Sequence, residues 1–263
     1  MSKKILSLVS VLMIFGISLL SGCARQTPAA AGEKTGIIGA MDVEVNSLKE
    51  AAENVKTTTI SGMDFCEGTL SGKNVVIVKC DMGKVNAGIC AQTLIREFGC
   101  TKIINTGVAG SLDERLEIGD IVVSTDAVQH DFDVTYIGYA KGEIPYTGLY
   151  AFPADEEMRK AAVEAVKECA PEVSVYEGRI CSGDRFIHTE EQKERITSDF
   201  GGMCCEMEGA AIAQVCHLNE VPFVVIRAVS DKVGETTVSD YQAFEAEAAE
   251  RCAGIVMLLV ERF

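Results

Sequence analysis

The chain has no tryptophan, and aromatic residues make up only 6% of its 263 positions. That is too sparse for the stacked platforms that grip single-stranded nucleic acid. Positive charge is also short: 24 Lys and Arg stand against 39 Asp and Glu, a formal net charge of −15. No basic run offsets this field, so a phosphate backbone is repelled rather than bound. Histidine occurs three times. There is no Cys-x-x-Cys pair and no Cys/His cluster with zinc-site spacing, so no metal is expected. No serine elbow is present, and no histidine pairs with a cysteine, which disfavours acyl transfer. Gly36-Ile37-Ile38-Gly39 lacks the full dinucleotide spacing and reads as a close-packing device. Gly83-Lys84 lacks the Walker spacing, and no cofactor is expected. His130 reads as structural, and His217 as a helix-end residue.

What is present begins with a leader. Lys3 and Lys4 precede an apolar run from Ile5 to Leu20, which is short for a membrane span and suits a secretory signal. The run ends in Leu20-Ser21-Gly22-Cys23, which resembles a bacterial lipobox. That resemblance implies a signal peptide over 1–22, lipidation of Cys23, and a flexible tether over 23–34. The mature protein is then expected at the cell membrane, lipid-anchored on its extracytoplasmic face, where two or more acyl chains on one residue hold stably. An uncleaved signal anchor is the alternative. The remaining ten of the 11 cysteines do not read as a disulfide scaffold. Cys80, Cys90, Cys100, Cys181, Cys204, Cys205, Cys216 and Cys252 fall in apolar patterns, where cysteine acts as a small hydrophobe. Free thiols outside the cell point to a reducing or anaerobic setting.

From residue 35 to 263 short apolar runs alternate with helical stretches, which argues one α/β domain with a parallel or mixed sheet. Strands are expected at Thr35–Met41, Asn74–Cys80, Thr101–Thr106, Asp120–Val128, Val173–Cys181, Met203–Met207 and Val221–Val229, with a hairpin over Thr57–Leu70. Helices are expected at Glu44–Val55, Lys84–Phe98, from Asp155 to about Cys169, and at Thr189–Ser198, Glu208–His217 and Ser239–Val260. Gly107-Val108-Ala109-Gly110 reads as the turn that ends its strand. Ligands in such sheets lie beyond the carboxyl ends of strands. The polar residues collected there are Asp42, Glu44, Asp81, Lys84, Ser111, Ser182, Asp184, Arg185, Glu206, Glu208, Arg227, Ser230 and Asp231.

Taken singly these residues are bland. Glu44 is a first-turn helix charge, Asp231 a turn residue, and Phe186 and Met207 core. Together they carry a family. Ile37-Ile38-Gly39-Ala40-Met41-Asp42-Val43-Glu44-Val45, Asn105 to Gly110, Ser182-Gly183-Asp184, Glu206-Met207-Glu208, and Arg227-Ala228-Val229-Ser230-Asp231 occur in order. In sequence and spacing they resemble the 5′-methylthioadenosine/S-adenosylhomocysteine nucleosidases across residues 35–263. The resemblance implies a nucleoside phosphorylase-like α/β fold, with a central mixed, twisted sheet flanked by helices, working as a homodimer. It implies hydrolysis of the N-glycosidic bond of 5′-methylthioadenosine or S-adenosylhomocysteine, and of 5′-deoxyadenosine as a further candidate, to adenine and a 5-substituted ribose.

The reaction leaves charge on the purine and an oxocarbenium-like sugar. By resemblance, Asp231 is the general acid toward adenine N7, which requires a raised pKa, and Glu44 activates the attacking water. Glu208 accepts bonds from the ribose hydroxyls, and Met207 lies against the ribose. Phe186 stacks on adenine, the Ile187 backbone reads the base edge, and Arg227 orients the polar network around the water. Glu206, Met82, Val108, Ser230 and Tyr241 complete the expected substrate-binding set. Val134, Ile137, Tyr139 and Pro145 match positions through which a neighbouring subunit closes the 5′-substituent pocket. Two departures stand out: Val108 occupies a position where many relatives carry Ser, and Asp81 one where many carry Gly.

Two other readings stay open at this level. A purine nucleoside phosphorylase shares the fold. A non-catalytic nucleoside-binding lipoprotein would share the anchor and the stacking Phe, but would gain nothing from two opposed carboxylates. The leader yields its own test. Fatty-acid label is expected on the native chain and absent from Cys23→Ala; equal labelling of the two would exclude the anchor.

Overall fold

The structure, a computed structural model, describes residues 32–233 and 238–263, the side chains of 238–243 excepted. Ala31–Phe263 form one compact unit. The described residues make ten strands and six helices in the order β1(Lys34–Gly39) α1(Asp42–Ala51) β2(Glu53–Ile60) β3(Met63–Leu70) β4(Lys73–Lys79) α2(Lys84–Arg96) β5(Lys102–Ser111) β6(Ile121–Gln129) β7(Phe152–Pro153) α3(Glu156–Cys169) β8(Val175–Ser182) α4(Glu190–Phe200) β9(Cys204–Glu206) α5(Gly209–Leu218) β10(Phe223–Lys232) α6(Val238–Glu261). This is the α/β nucleoside phosphorylase-like architecture, a single domain around one mixed sheet.

Neighbouring strands run β10-β6-β8-β9-β5-β1-β4-β3-β2, and β10 also pairs with β5, so five strands close into a ring that β5 shares with the open half. β1 lies parallel to both β4 and β5, and β10 parallel to β5. β10 runs antiparallel to β6, and β9 antiparallel to β5. The interior strands are buried on both faces, which is why they read as unbroken apolar runs rather than alternations. On one face α2 and α5 cover Ile38, Val76, Val78 and Ile103. On the other, α1, α3 and α6 cover Ile37, Ile77, Ile104 and Val224. Neighbours such as Ile37 and Ile38 thus serve opposite layers, as the two-residue period of a strand requires.

Gly36 works as the close-packing residue that its spacing suggested. A Cβ there would lie 2.7 Å from Ile103 Cδ1 and 3.0 Å from Leu94 Cδ1. Asp155 caps α3 by accepting from the Met158 N–H at 2.9 Å, and Thr189 caps α4. Two boundaries differ from expectation. The first helix stops at Ala51, because Val55 to Ile60 is rich in β-branched residues and pairs antiparallel with β3. The glycine stretch 107–110 does not end its strand, since β5 continues to Ser111 with β10 and β9 bonded alongside. The ten cysteines of the described unit carry no disulfide, and all but Cys169 are buried.

Candidate active site

A cleft of about 560 Å³, partly open to solvent, lies beyond the carboxyl ends of β1, β4, β5, β8, β9 and β10. Its size suits a small-molecule ligand. Glu44, Met82, Val108, Phe186, Ile187, Glu206, Met207, Glu208, Ser230 and Asp231 all line it. Residues separated by up to 187 positions are brought together because parallel strands in one sheet finish on the same edge.

Glu44 stands in the first turn of α1 and is nearly inaccessible. Its Oε2 accepts from the backbone N–H of Ala40 at 2.6 Å and of Met41 at 3.0 Å, and its Oε1 from Val108 N at 3.0 Å. The carboxyl is thus clamped between the end of β1 and the middle of β5, with Gly107 beneath it. A Cβ at 107 would sit 2.4 Å from Glu44 Oε1 and 3.0 Å from Arg227 Nη1. Burial pushes the Glu44 pKa above the usual carboxylate range, against the pull of Arg227 and the three N–H bonds.

Asp231 lines the same cleft from β10. The register of β10 against β5 slips between Val229 and Asp231, leaving Ser230 as the extra residue of a bulge. Such bulges re-aim side chains, and this one turns Asp231 to the cleft opposite Gly110, whose missing Cβ leaves the carboxyl its space. Its Oδ1 accepts from Ser230 Oγ at 2.8 Å, and no cation lies within ion-pair distance among the described residues. Burial therefore raises its pKa, with only the Ser230 bond opposing.

Glu208 opens α5, and its Oε1 accepts from Gly83 N at 2.8 Å. Burial, and then the charge of Glu206, push it up to about 7. Gly83 has φ +101°, a conformation reserved for glycine, and this brings the β4–α2 loop to Glu208. Phe186 is 52% exposed on the cleft wall, with Ile187 buried beside it.

Three expected residues are placed differently. Arg227 does not line the cleft. It is buried behind it, where Nη2 donates to Glu206 Oε2 and, at 2.6 Å, to Asn105 Oδ1. Glu206 reaches the cleft wall, yet its two oxygens are occupied by protein donors. Asp81 does not border the cleft either. Its side chain points to solvent and pairs with Lys79 at 3.3 Å, because its φ of +62° turns the chain outward there. That left-handed φ gives a glycine at this position a physical reason. Val134, Ile137, Tyr139 and Pro145 do not line the cleft of their own chain; Ile137 is 66% exposed, on a turn of 3₁₀-helix. Cys23 and the Tyr241 side chain lie outside the described residues.

Other lining residues had gone unassigned: Ala40, Met41, Ala109, Gly110, Arg185 and Cys205. Ala40, Met41, Ala109 and Gly110 belong to the motifs that carried the resemblance, so position alone could have found them. Nothing in the sequence separates Cys205 from the other buried thiols.

Comparison with known proteins shows the family to which the chain belongs. The family model described as "Phosphorylase superfamily" matches residues 34–261. A 5′-methylthioadenosine/S-adenosylhomocysteine nucleosidase of Shewanella sediminis is 44% identical over 230 residues, covering 87% of this chain and 99% of the relative. The crystal structure of the corresponding Neisseria meningitidis nucleosidase, in complex with methylthio-immucillin-A, has a TM-score of 0.85 at 39% identity. The match covers 88% of this chain and 100% of that one. The native futalosine hydrolase of Helicobacter pylori has a TM-score of 0.83 at 32% identity, covering 88% and 98%.

The packing of Glu44 against Gly107 makes a direct test. Gly107→Ala must displace Glu44 or Arg227, and misplacement by about 1 Å can cost on the order of 10²-fold in rate. Turnover is expected to fall at least that far while the circular dichroism spectrum stays native. Wild-type turnover in a folded Gly107→Ala variant would show that the Glu44 carboxyl position does not matter.

Proposed function

This chain belongs to the phosphorylase superfamily and, within it, to the 5′-methylthioadenosine/S-adenosylhomocysteine nucleosidases, and on that premise we propose that it hydrolyses adenosine-derived nucleosides to adenine and a 5-substituted ribose. The observation that carries the reading is the pair of buried, pKa-raised carboxyls, Glu44 and Asp231, that line one cleft.

Asp231 is the general acid. Burial, with no ion-pair partner among the described residues, favours its protonated form, and that proton passes to adenine N7 as the bond from N9 to the sugar breaks. Adenine then leaves neutral. Water attacks the anomeric carbon from the Glu44 side and gives its proton to that carboxylate. Three backbone donors hold Glu44 in place, and a raised pKa makes it a better base near neutral pH. Glu208 accepts from the ribose hydroxyls and Met207 packs on the sugar. Phe186 stacks on adenine, and the Ile187 backbone meets the base edge. Methylthioadenosine and S-adenosylhomocysteine are the favoured substrates; 5′-deoxyadenosine and futalosine-like nucleosides share the adenine or ribose features that this cleft would engage.

Water rather than phosphate is the nucleophile. A phosphate dianion beneath the ribose would face Glu44 and Glu208, and each pair of unit negative charges costs about 4 kcal/mol at 4 Å and an effective dielectric near 20. Arg227, buried behind the cleft, already neutralises Glu206, and Arg185 stands in the loop beside Phe186. Adenine release is therefore expected in phosphate-free buffer, with free 5-substituted ribose as the sugar product. Asp231→Asn should lose roughly 10²–10⁴-fold in turnover while still binding substrate, since a positioned acid contributes about that much. A strict phosphate requirement with a ribose 1-phosphate product would overturn the hydrolase reading, and full turnover of Asp231→Asn the acid assignment.

The same reading includes a homodimer anchored to the membrane through Cys23. Val134, Ile137, Tyr139 and Pro145 of one subunit then close the 5′ side of its partner's cleft. Support comes from the exposed apolar side chains of Tyr136, Ile137 and Tyr146 on that segment, beyond what an isolated surface loop needs. The soluble domain is expected to sediment as a dimer; a fully active monomer at assay concentration would refute shared sites.

A further inference from the structure

Glu206 was expected to touch substrate, but its hydrogen bonds leave it another task. Its Oε2 accepts from Glu208 N at 3.1 Å, Gly209 N at 2.7 Å and Arg227 Nη2, and its Oε1 accepts from Ser182 Oγ. Ser182 Oγ in turn accepts from Ala210 N at 2.7 Å. These N–H groups belong to the first turn of α5, which otherwise lack partners inside the helix. One carboxylate therefore caps α5, ties it to the end of β8, and neutralises the buried guanidinium of β10.

Glu208 sits two residues further on, and its Oε2 is 3.9 Å from the same Arg227 Nη2. Two carboxylates thus flank one arginine, and only the first is in hydrogen-bond contact. The same Nη2 also donates to Asn105 Oδ1, and Asn105 itself donates to Ile38 O at 3.0 Å. Were Glu206 neutral, two charged carboxyls would remain near the guanidinium, Glu44 and Glu208; Glu44 is held by three backbone N–H groups, and Glu208 is the one already within 4 Å. A Glu208 carboxylate gripped by Arg227 has fewer lone pairs, and less negative charge, for a sugar hydroxyl.

We propose that Glu206 is a positioning residue: it holds Arg227 and the first turn of α5 so that the Glu208 carboxylate stays free for the ribose hydroxyls. The proposal rests on the sugar-binding reading of Glu208 given above. Glu206 itself takes no proton and contacts no reacting atom. Burial and the Glu206 charge both raise the Glu208 pKa, so removing that charge has a titration signature as well as a binding one.

The test compares Glu206→Gln, Glu208→Gln and the double variant, with methylthioadenosine and its 2′,3′-dideoxy analogue as probes. Glu206→Gln keeps the shape and removes the charge. Its KM for methylthioadenosine is expected to rise about 10-fold or more, with a smaller change in kcat. The acidic limb of kcat/KM should move to lower pH, because Glu208 would lose its proton more easily. Affinity for the dideoxy analogue, which has no hydroxyls for Glu208, should change little. The double variant should be no worse than Glu208→Gln alone. Equal losses with both probes, an unmoved acidic limb, or additive losses in the double variant would make Glu206 an ordinary helix cap and overturn the proposal. If Glu208→Gln left KM unchanged, the sugar-binding reading would fail first and take the proposal with it. Should Glu206→Gln not fold, Ser182→Ala removes one of the four donors and is read the same way: a selective KM rise supports the proposal and equal losses with both probes overturn it.

Discussion

A buried guanidinium organises this molecule. Arg227 lies in the middle of an otherwise apolar strand, sealed from solvent, and an arginine cannot escape its charge by losing a proton. Such a charge is tolerated only where the fold supplies compensating groups. Here they come from three directions: Glu206 at the end of β9, Asn105 on β5, and the longer-range charges of Glu208 and Glu44. The closure of β10, β6, β8, β9 and β5 into a ring is what allows strands remote in sequence to converge on one residue. The cleft lies directly in front of this cluster, so the arginine that stabilises the carboxylates also sets the field in which a substrate would sit.

The two carboxyls assigned opposite proton roles owe their difference to their surroundings. Both are buried, and burial raises both. Glu44, however, has three backbone N–H donors and the field of Arg227, all of which favour the carboxylate. Among the described residues Asp231 has one serine hydroxyl and no ion-pair partner. A base is thereby supported in its charged form and an acid in its neutral form, from the same starting chemistry. The bulge at Ser230 and the missing side chains of Gly107 and Gly110 are the backbone features that make room for this contrast.

The cysteines illustrate burial acting in the other direction. Ten free thiols in one folded unit would be a liability if they ionised, because the thiolate is the reactive species. Burial pushes Cys100 up to about 12 and Cys252 to about 11, and raises Cys204 and Cys205 as well. The nine buried thiols act as core fillers, Cys169 alone being exposed, and their abundance says little about disulfide chemistry.

Much of this was legible from the residues alone. The alternation of apolar runs with helical periods determined an α/β domain, since buried strands and amphipathic helices leave different spacings in a chain. The ordered motifs around Glu44, Asn105, Glu208 and Asp231 marked the polar residues at strand ends, because backbone geometry places ligands there. Tertiary structure alone decided which of those residues face the cleft. Arg227 and Glu206 carry the same charges in the sequence as any exposed pair, yet ring closure of the sheet turns them toward each other, Glu206 at the cleft wall and Arg227 behind it. Asp81 has the charge of a site residue, but a left-handed backbone points it at solvent and Lys79. The continuation of β5 through four residues that include two glycines depended on β9 and β10 pairing alongside, a partnership no local pattern records. Charge and periodicity are properties of the chain, whereas orientation and desolvation exist only once distant strands share a sheet.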